Sequence, residues 1–300
     1  MDAGVPNPAH AKVGVAVTTV GRWDELGRLL DDLASQTQRP HAVAIAHHNA
    51  DAANKLDTLV QSFSDRLSIT TVISPRGISN GRNAAAATFG DDVDWVCFPN
   101  DNSCLDTDYL ERIKRCATPD TTFVAVKFVD RQGARNKIPA PGSKLTRRNV
   151  WGAIEAATLI RRRDFVRVGG FDPSIGSGAN SPWQAGEGTD LLLRLSMLDG
   201  FSVEWAPDIA MRGQTEFAQL TPWERRHKNR CYGRGAGYVY DRWKYPVWDR
   251  FRYVLGGILM PLRNPEKFGP REGLALAIGR AEGVLGRVVP GNLDNRAIFR

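Results

Sequence analysis

Short apolar runs alternating with helix-like stretches fill the first hundred residues, and this alternation limits the fold more than any other feature. Residues 13–18 (VGVAVT) read as a buried strand. Leu26, Leu29, Leu30 and Leu33 then recur at i, i+3, i+4 and i+7, the spacing of one helix face. Residues 42–46 read as a second strand, followed by a weaker helix carrying Leu56, Leu59, Val60 and Phe63. A third strand is expected at 69–73, a helical stretch at 84–89 and a fourth strand at 93–98. Such an order predicts an α/β protein with βαβ units and a mostly parallel central sheet flanked by helices. In sheets of this kind ligands bind beyond the carboxyl ends of the strands. Residues 18–22, 47–51, 76–82 and 100–101 all fall at those ends and are expected along one edge.

The second half is less regular. Residues 123–129 look like another strand, 131–149 like a loop and 189–199 like a helix, with Leu192, Leu195 and Met197 among its apolar positions. From about Thr221 the alternation stops, and helical pieces rich in aromatic and basic residues follow. The expected organisation is a first part at 1–105, a second at 106–220 and a helical C-terminal region at 221–300.

Charge and cysteine usage narrow the class further. The 300 residues carry a net charge of +7, unevenly placed. Residues 131–149 hold six Lys/Arg and no acid, and residues 223–253 hold nine Lys/Arg against three acids, interleaved with Trp, Tyr and Phe. Basic patches of this kind look for phosphate, on a nucleotide, a lipid head group or a nucleic acid. No helix-turn-helix, zinc-finger or RNP motif is present, so nucleic acid is not the expected partner. Cys97, Cys104, Cys116 and Cys231 form no C-x-x-C pair, as in a cytosolic protein with reduced thiols. The first residues have no charged segment leading into a long apolar one, and no apolar run approaches the ~20 residues of a membrane span. The expected location is the cytoplasm, or the inner face of the cell membrane as a peripheral protein.

The run WVCFPNDNSCL (95–105) places Asn100, Asp101, Asn102 and Ser103 directly after a strand, a group able to hold a cation or sugar hydroxyls, or to serve as a polar turn. Three stretches in order resemble family 2 inverting glycosyltransferases of the GT-A fold. They are VAVTTVGR with its helix ending in ASQTQRP, then GISNGRNAAAATFGDDVDWVCFPNDNS, then VGGFDPSIGSGANSPWQAGEGTDLLLRLSMLDG. The resemblance covers about residues 12–215. It implies transfer of a sugar from a nucleoside-diphosphate donor to an acceptor hydroxyl on a glycan or lipid-linked acceptor, with inversion, in cell-envelope polysaccharide or glycolipid synthesis. It also implies a divalent cation, Mg²⁺ or Mn²⁺, that stabilises the leaving diphosphate, and a carboxylate that takes the acceptor proton.

Carried over by position, Thr18 and Thr19 match the end of the first strand beside the nucleoside, with Arg22 and His47 on the same donor-binding edge. Arg82 matches an Arg near donor phosphate or ribose, or else is a structural Arg paired with an acid. Asn100, Asp101 and Asn102 stand where the Asp-rich turn belongs, with Asp101 the candidate metal ligand. Glu187 and Asp190 match the first and last acids of the acidic helix start; capping of that helix is the other reading. Four departures stand out. Asn replaces Asp on both sides of Asp101, and Gly188 replaces the acid often taken as the base, which leaves Glu187 or Asp190, with Glu187 ranked first. Arg212, Gly213 and Gln214 stand where a metal-binding His is expected, and His47-His48-Asn49 replace a base-reading Asp. These losses, beside a basic loop, point to weak metal dependence with Arg or Lys offsetting the diphosphate charge. They equally suit a catalytically weak relative that binds a nucleotide-sugar or glycan as a regulatory or scaffolding protein.

WKYPVWDRFRYVLGGILMPLR (243–263) joins aromatics to Lys/Arg and ends in a short apolar run. An amphipathic helix on an anionic membrane surface has this composition. So does a helix that packs its aromatics on the catalytic domain.

Overall fold

β1 (Val13–Thr19) is buried along almost its whole length because neighbours flank it on both sides. A computed structural model describes residues 11–49, 53–214, 220–266 and 268–289, and the chain divides into two compact units. The first contains the described residues of Met1–Pro75, Asn80–Phe171 and Leu191–Thr215. The second contains those of Arg76–Ser79, Asp172–Asp190 and Glu216–Arg300.

In the first unit β1 is followed by α1 (Trp23–Ala34), β2 (Ala42–His47), α2 (Ala53–Gln61), β3 (Ile69–Ile73), α3 (Ile78–Ala87) and β4 (Trp95–Cys97). Next come β5 (Ser103–Cys104), α4 (Tyr109–Arg115), β6 (Phe123–Asp130), β7 (Gly133–Ala134), β8 (Thr158–Arg161) and α5 (Arg162–Arg167). α6 (Glu187–Leu195), whose residues up to Asp190 are counted with the second unit, leads to β9 (Val203–Gly213). The strands form one sheet in the order β3-β2-β1-β4-β8-β6-β9-β5, with β7 on β6. β3, β2, β1 and β4 are mutually parallel, and β6 and β9 run with them; β8, β7 and β5 run against their neighbours. The sheet is therefore mixed but mostly parallel, and the α/β class expected from the sequence is the one observed. Leu26, Leu29, Leu30 and Leu33 are fully buried in the core with Val15, Val17 and Ile45, the outcome the leucine spacing predicts.

Several elements differ from expectation. α3 begins at Ile78, not near residue 84, so Arg82 lies on a helix. α6 spans Glu187–Leu195 and stops short of residue 199. The basic stretch 131–149 contains β7, and β8 and β9 are strands that the sequence did not announce. β9 carries a register shift: Val126 pairs with Ala206, but Lys127 pairs with Ala210. That irregularity removes the period-two pattern by which a strand is recognised. Asp51, expected near the second strand's end, lies outside the described residues.

The second unit is helical after residue 221: α7 (Pro222–Arg242), α8 (Val247–Ile258), α9 (Met260–Arg263) and α10 (Pro270–Val284). α7 starts at the residue where the strand alternation ends. Thr221 accepts from the Glu224 amide, the Glu224 carboxylate accepts from the Thr221 amide at 2.8 Å, and Pro222 occupies the first turn. α7 and α10 touch backbone to backbone. A Cβ on Gly279 would stand 2.0 Å from the Arg230 carbonyl oxygen, and one on Gly237 2.5 Å from that of Arg280. Glycine inside a helix costs about 1 kcal/mol in propensity. Here it permits an approach that side chains would block.

Within this contact the buried Glu282 accepts from Arg234 Nε at 2.8 Å and from Arg230 Nε at 3.1 Å, and from the Val289 amide at 3.0 Å. Burial alone would raise the Glu282 pKa, but the two arginines outweigh it and hold the carboxyl below its ordinary value. A depressed folded-state pKa gives stability that is present above the unfolded pKa and lost as pH falls through the folded one. Glu282→Gln should therefore lower stability near neutral pH by about 3 kcal/mol, since two arginines lose their counter-charge. In urea titrations at stepped pH, the gap from wild type should narrow in the acid range below the ordinary carboxyl pKa.

Candidate functional site

The sequence-predicted residues fall into two groups, one in each unit. In the first unit, parallel pairing aligns strand ends: Thr19 stands opposite His47, and Thr18 bridges to Asn100 just beyond β4. Residues distant in sequence thus share one edge, as the alternation predicts. α3 approaches this edge through Gly81, where a Cβ would sit 2.4 Å from Thr18 Cγ2.

Asp101 is wholly buried. Thr19 Oγ1 donates to its Oδ2 at 2.9 Å, Arg22 Nε donates to the same oxygen at 3.2 Å, and Arg22 Nη2 donates to Oδ1 at 2.5 Å. This is a two-pronged guanidinium–carboxylate pair, the geometry in which such contacts are strongest. Arg22 keeps 32 % of its side chain exposed, so the cation faces solvent while its partner does not. Arg82 is buried; its Nη2 donates to Asn100 Oδ1 at 3.1 Å and to Glu155 Oε1 at 3.3 Å, and its guanidinium lies over the Phe171 ring. Phe171 is fixed in turn by two hydrogen bonds with Asn83. Arg82 thus pairs with an acid, Glu155, and holds Asn100 at the turn. Asn102 is buried beside Asp101, and His47 is buried with Nδ1 3.0 Å from the Asn49 carbonyl.

A divalent cation needs several oxygen ligands, charged ones above all. Asp101 is the lone carboxylate of its turn, and both its oxygens are engaged by Arg22. β9 pairs Gly213 with Ser103 and Arg212 with Cys104, so no imidazole stands there. Among the described residues no group of three or more His, Cys, Asp or Glu is placed to hold a metal ion. The residues around Asp101 do not fit a divalent cation, because a guanidinium already occupies the carboxylate.

In the second unit Glu187 and Asp190 lie in the first turn of α6 and are both buried. The turn before them contains Gly186, with φ of +98°, a conformation open to glycine. Trp243 Nε1 donates to Asp190 Oδ1 at 3.0 Å, and Arg242 Nε lies 3.4 Å from the same oxygen. Arg242 also pairs with Asp172. Burial raises the Asp172 pKa, but bonds from Arg242 and Ser174 prevail and leave it below the usual value. Burial lowers the Arg242 pKa, but Asp172 and Asp190 together raise it. The Glu187 carboxyl stands against the Gly176 backbone, where an added Cβ would be 3.2 Å from Glu187 Cδ. The loop between is set by Gln184, whose Oε1 accepts from the Gly178 amide at 2.8 Å, and by Trp183 stacked on Tyr238 at 4.4 Å.

Sequence reasoning missed Glu155 as the partner of Arg82, and Arg242 and Trp243 as the partners of Asp190. Each pairing joins residues more than 50 positions apart, and no local pattern announces it.

No protein-family profile and no curated protein matches the chain by sequence. Solved structures do share the fold. S. aureus TarS 1-349 in complex with UDP-GlcNAc aligns at 12 % identity over 92 % of each chain, with a TM-score of 0.53. The mannosyltransferase PcManGT from Pyrobaculum calidifontis, in complex with GDP-Man and Mn²⁺, aligns at 14 % identity over 94 % of this chain and 78 % of its own, with a TM-score of 0.55. The fold is accordingly GT-A-like.

Removing Arg22 strands a buried anion. Arg22→Met should lower stability by about 2–3 kcal/mol, and adding Asp101→Asn should restore more than half of that loss in urea unfolding. Equal stability of Arg22→Met and wild type would mean that the pair does not organise this edge.

Proposed function

We propose that the protein is an inverting glycosyltransferase that uses a nucleoside-diphosphate sugar and has little dependence on a divalent cation. The observation that carries the reading is the alignment of Thr18, Thr19, Arg22, Arg82, Asn100 and Asp101 at the carboxyl edge of a GT-A-like sheet. Structures of this fold hold UDP-GlcNAc and GDP-Man. The donor diphosphate lies toward this edge, with Arg22 supplying positive charge that a metal would supply elsewhere. Arg82 and Asn100 hold the turn, and Thr18, Thr19, His47 and Asn102 line the nucleoside side. The acceptor is a hydroxyl of a glycan or a lipid-linked sugar in envelope synthesis, handled on the cytoplasmic side.

Glu187 is the general base. It takes the acceptor proton as that oxygen attacks the anomeric carbon, while the bond to the donor diphosphate breaks on the opposite face. Asp190 is the weaker candidate, because the Trp243 indole N–H and the Arg242 guanidinium hold its carboxylate in place. It positions α6 through Trp243.

The test is turnover of a nucleotide-sugar panel that includes UDP-GlcNAc and GDP-Man, with EDTA or Mn²⁺ added. Donor consumption should persist in EDTA. Glu187→Gln should lower kcat by ~10²–10⁴-fold, the range for loss of a general base, with donor affinity little changed. Arg22→Met should lower kcat as well as raise KM for the donor. Activity restored only by Mn²⁺ after EDTA would overturn the metal-sparing part. The engaged state of Asp101 also suits a non-catalytic nucleotide-sugar binder; that reading requires donor binding without turnover across an acceptor panel.

A further inference from the structure

α8 and α9 carry an apolar stripe that the described residues leave exposed. Val247 is 81 % exposed, Trp248 63 %, Phe251 53 %, Ile258 53 % and Leu262 81 %, with Leu255 at 39 %. At about 100° per residue all six fall within a sector of about 100°, a single helix face. The opposite side of the helix is the one that packs: a Cβ on Gly257 would meet the Ala277 backbone of α10 at 2.8 Å. Trp248 and Phe251 stack on each other at 5.5 Å within the stripe. Arg252 and Arg263, both exposed, follow one margin of it by the same angular count. Residues 243–263 hold four Lys/Arg and one acid.

We infer that this face docks on an anionic lipid bilayer, with α8 and α9 lying in the plane of the interface. Aromatic and aliphatic side chains on one face with cations along its margin fit the boundary between acyl chains and anionic head groups. No helix among the described residues is long and apolar enough to cross a membrane, and α8 has only 12 residues. Charge complementarity selects lipid over a second copy of the chain. In a two-fold pairing each stripe would meet itself, and a patch with four Lys/Arg against the single acid Asp249 would face a like-charged copy. The inference is independent of the transfer reading, because its assay needs no donor or acceptor.

Flotation of the full chain with phosphatidylcholine vesicles, with and without phosphatidylglycerol, tests it. The protein should float with the phosphatidylglycerol vesicles, less so as salt rises, and remain behind with phosphatidylcholine alone. Trp248→Ser with Phe251→Ser should reduce partitioning at least tenfold. Arg252→Gln and Arg263→Gln should each reduce it about fivefold. All four side chains are exposed, so thermal melting of the variants should match wild type, which separates lost docking from lost folding. Failure of the wild type to float with phosphatidylglycerol vesicles at low salt would overturn the inference. So would flotation of the Trp248/Phe251 variant at wild-type level. A dimer in sedimentation that the same variant dissolves, with no vesicle binding, would assign the face to a second copy and likewise overturn it.

Discussion

Asp101 is a carboxylate without water around it, and the first unit's functional edge is organised by how that charge is held. A buried anion is tolerated only when paired and hydrogen-bonded. Thr19 comes from the end of β1, Arg22 from the turn that follows, and Asp101 from the turn after β4. Satisfying one carboxylate therefore ties the ends of two adjacent parallel strands to the start of α1. The same contact fixes the chemistry of the edge. Asp101 cannot both anchor Arg22 through both oxygens and serve as an open metal ligand, so positive charge on this edge is carried by a side chain.

The second unit solves a different problem with the same physics. Its helices α7 and α10 meet through glycines, which brings backbones close but removes the side chains that normally fill a helix interface. Beside buried Leu276 the contact holds a polar cluster, in which Glu282 bridges Arg230 and Arg234. A lone acid between two arginines specifies which turn of α10 faces which turn of α7, since sliding by one turn would strand three charges. Close glycine contact supplies the approach and the ion cluster supplies the register.

The first hundred residues were legible because parallel strands are buried on both faces and read as continuous apolar runs, and because α1 presents four leucines at helical spacing. The carboxyl-edge rule then brought Thr18, Thr19, Arg22, His47, Asn100 and Asp101 together in advance. α3 was harder: its first turns, ISNGRN, carry small polar residues and no apolar period, so its start was read as loop. β8 is only four residues long and β9 is broken by a register shift, so neither had room to show alternation. The pairing of Arg82 with Glu155, and of Asp190 with Trp243 and Arg242, is tertiary. Sequence spacing identifies one member of each pairing but not the residue that meets it. The glycines at 233, 237, 279 and 283 gain their meaning only from α7 and α10 being neighbours.

Glu187 and Asp190 illustrate why a motif cannot assign roles by itself. Both acids occupy the first turn of α6. Helix position therefore does not separate them, and only their surroundings can. Asp190 meets an indole N–H and the guanidinium of Arg242, which also binds Asp172, so its carboxylate is tied to the end of α7. Glu187 stands beside the Gly176 backbone, where an added Cβ would be 3.2 Å from its carboxyl carbon. Glycine at 176 and 186 lets a substrate approach the backbone beside Glu187 closely. In the transfer reading, that access gives the acceptor proton to Glu187 and leaves Asp190 to hold the helix start on which Glu187 sits.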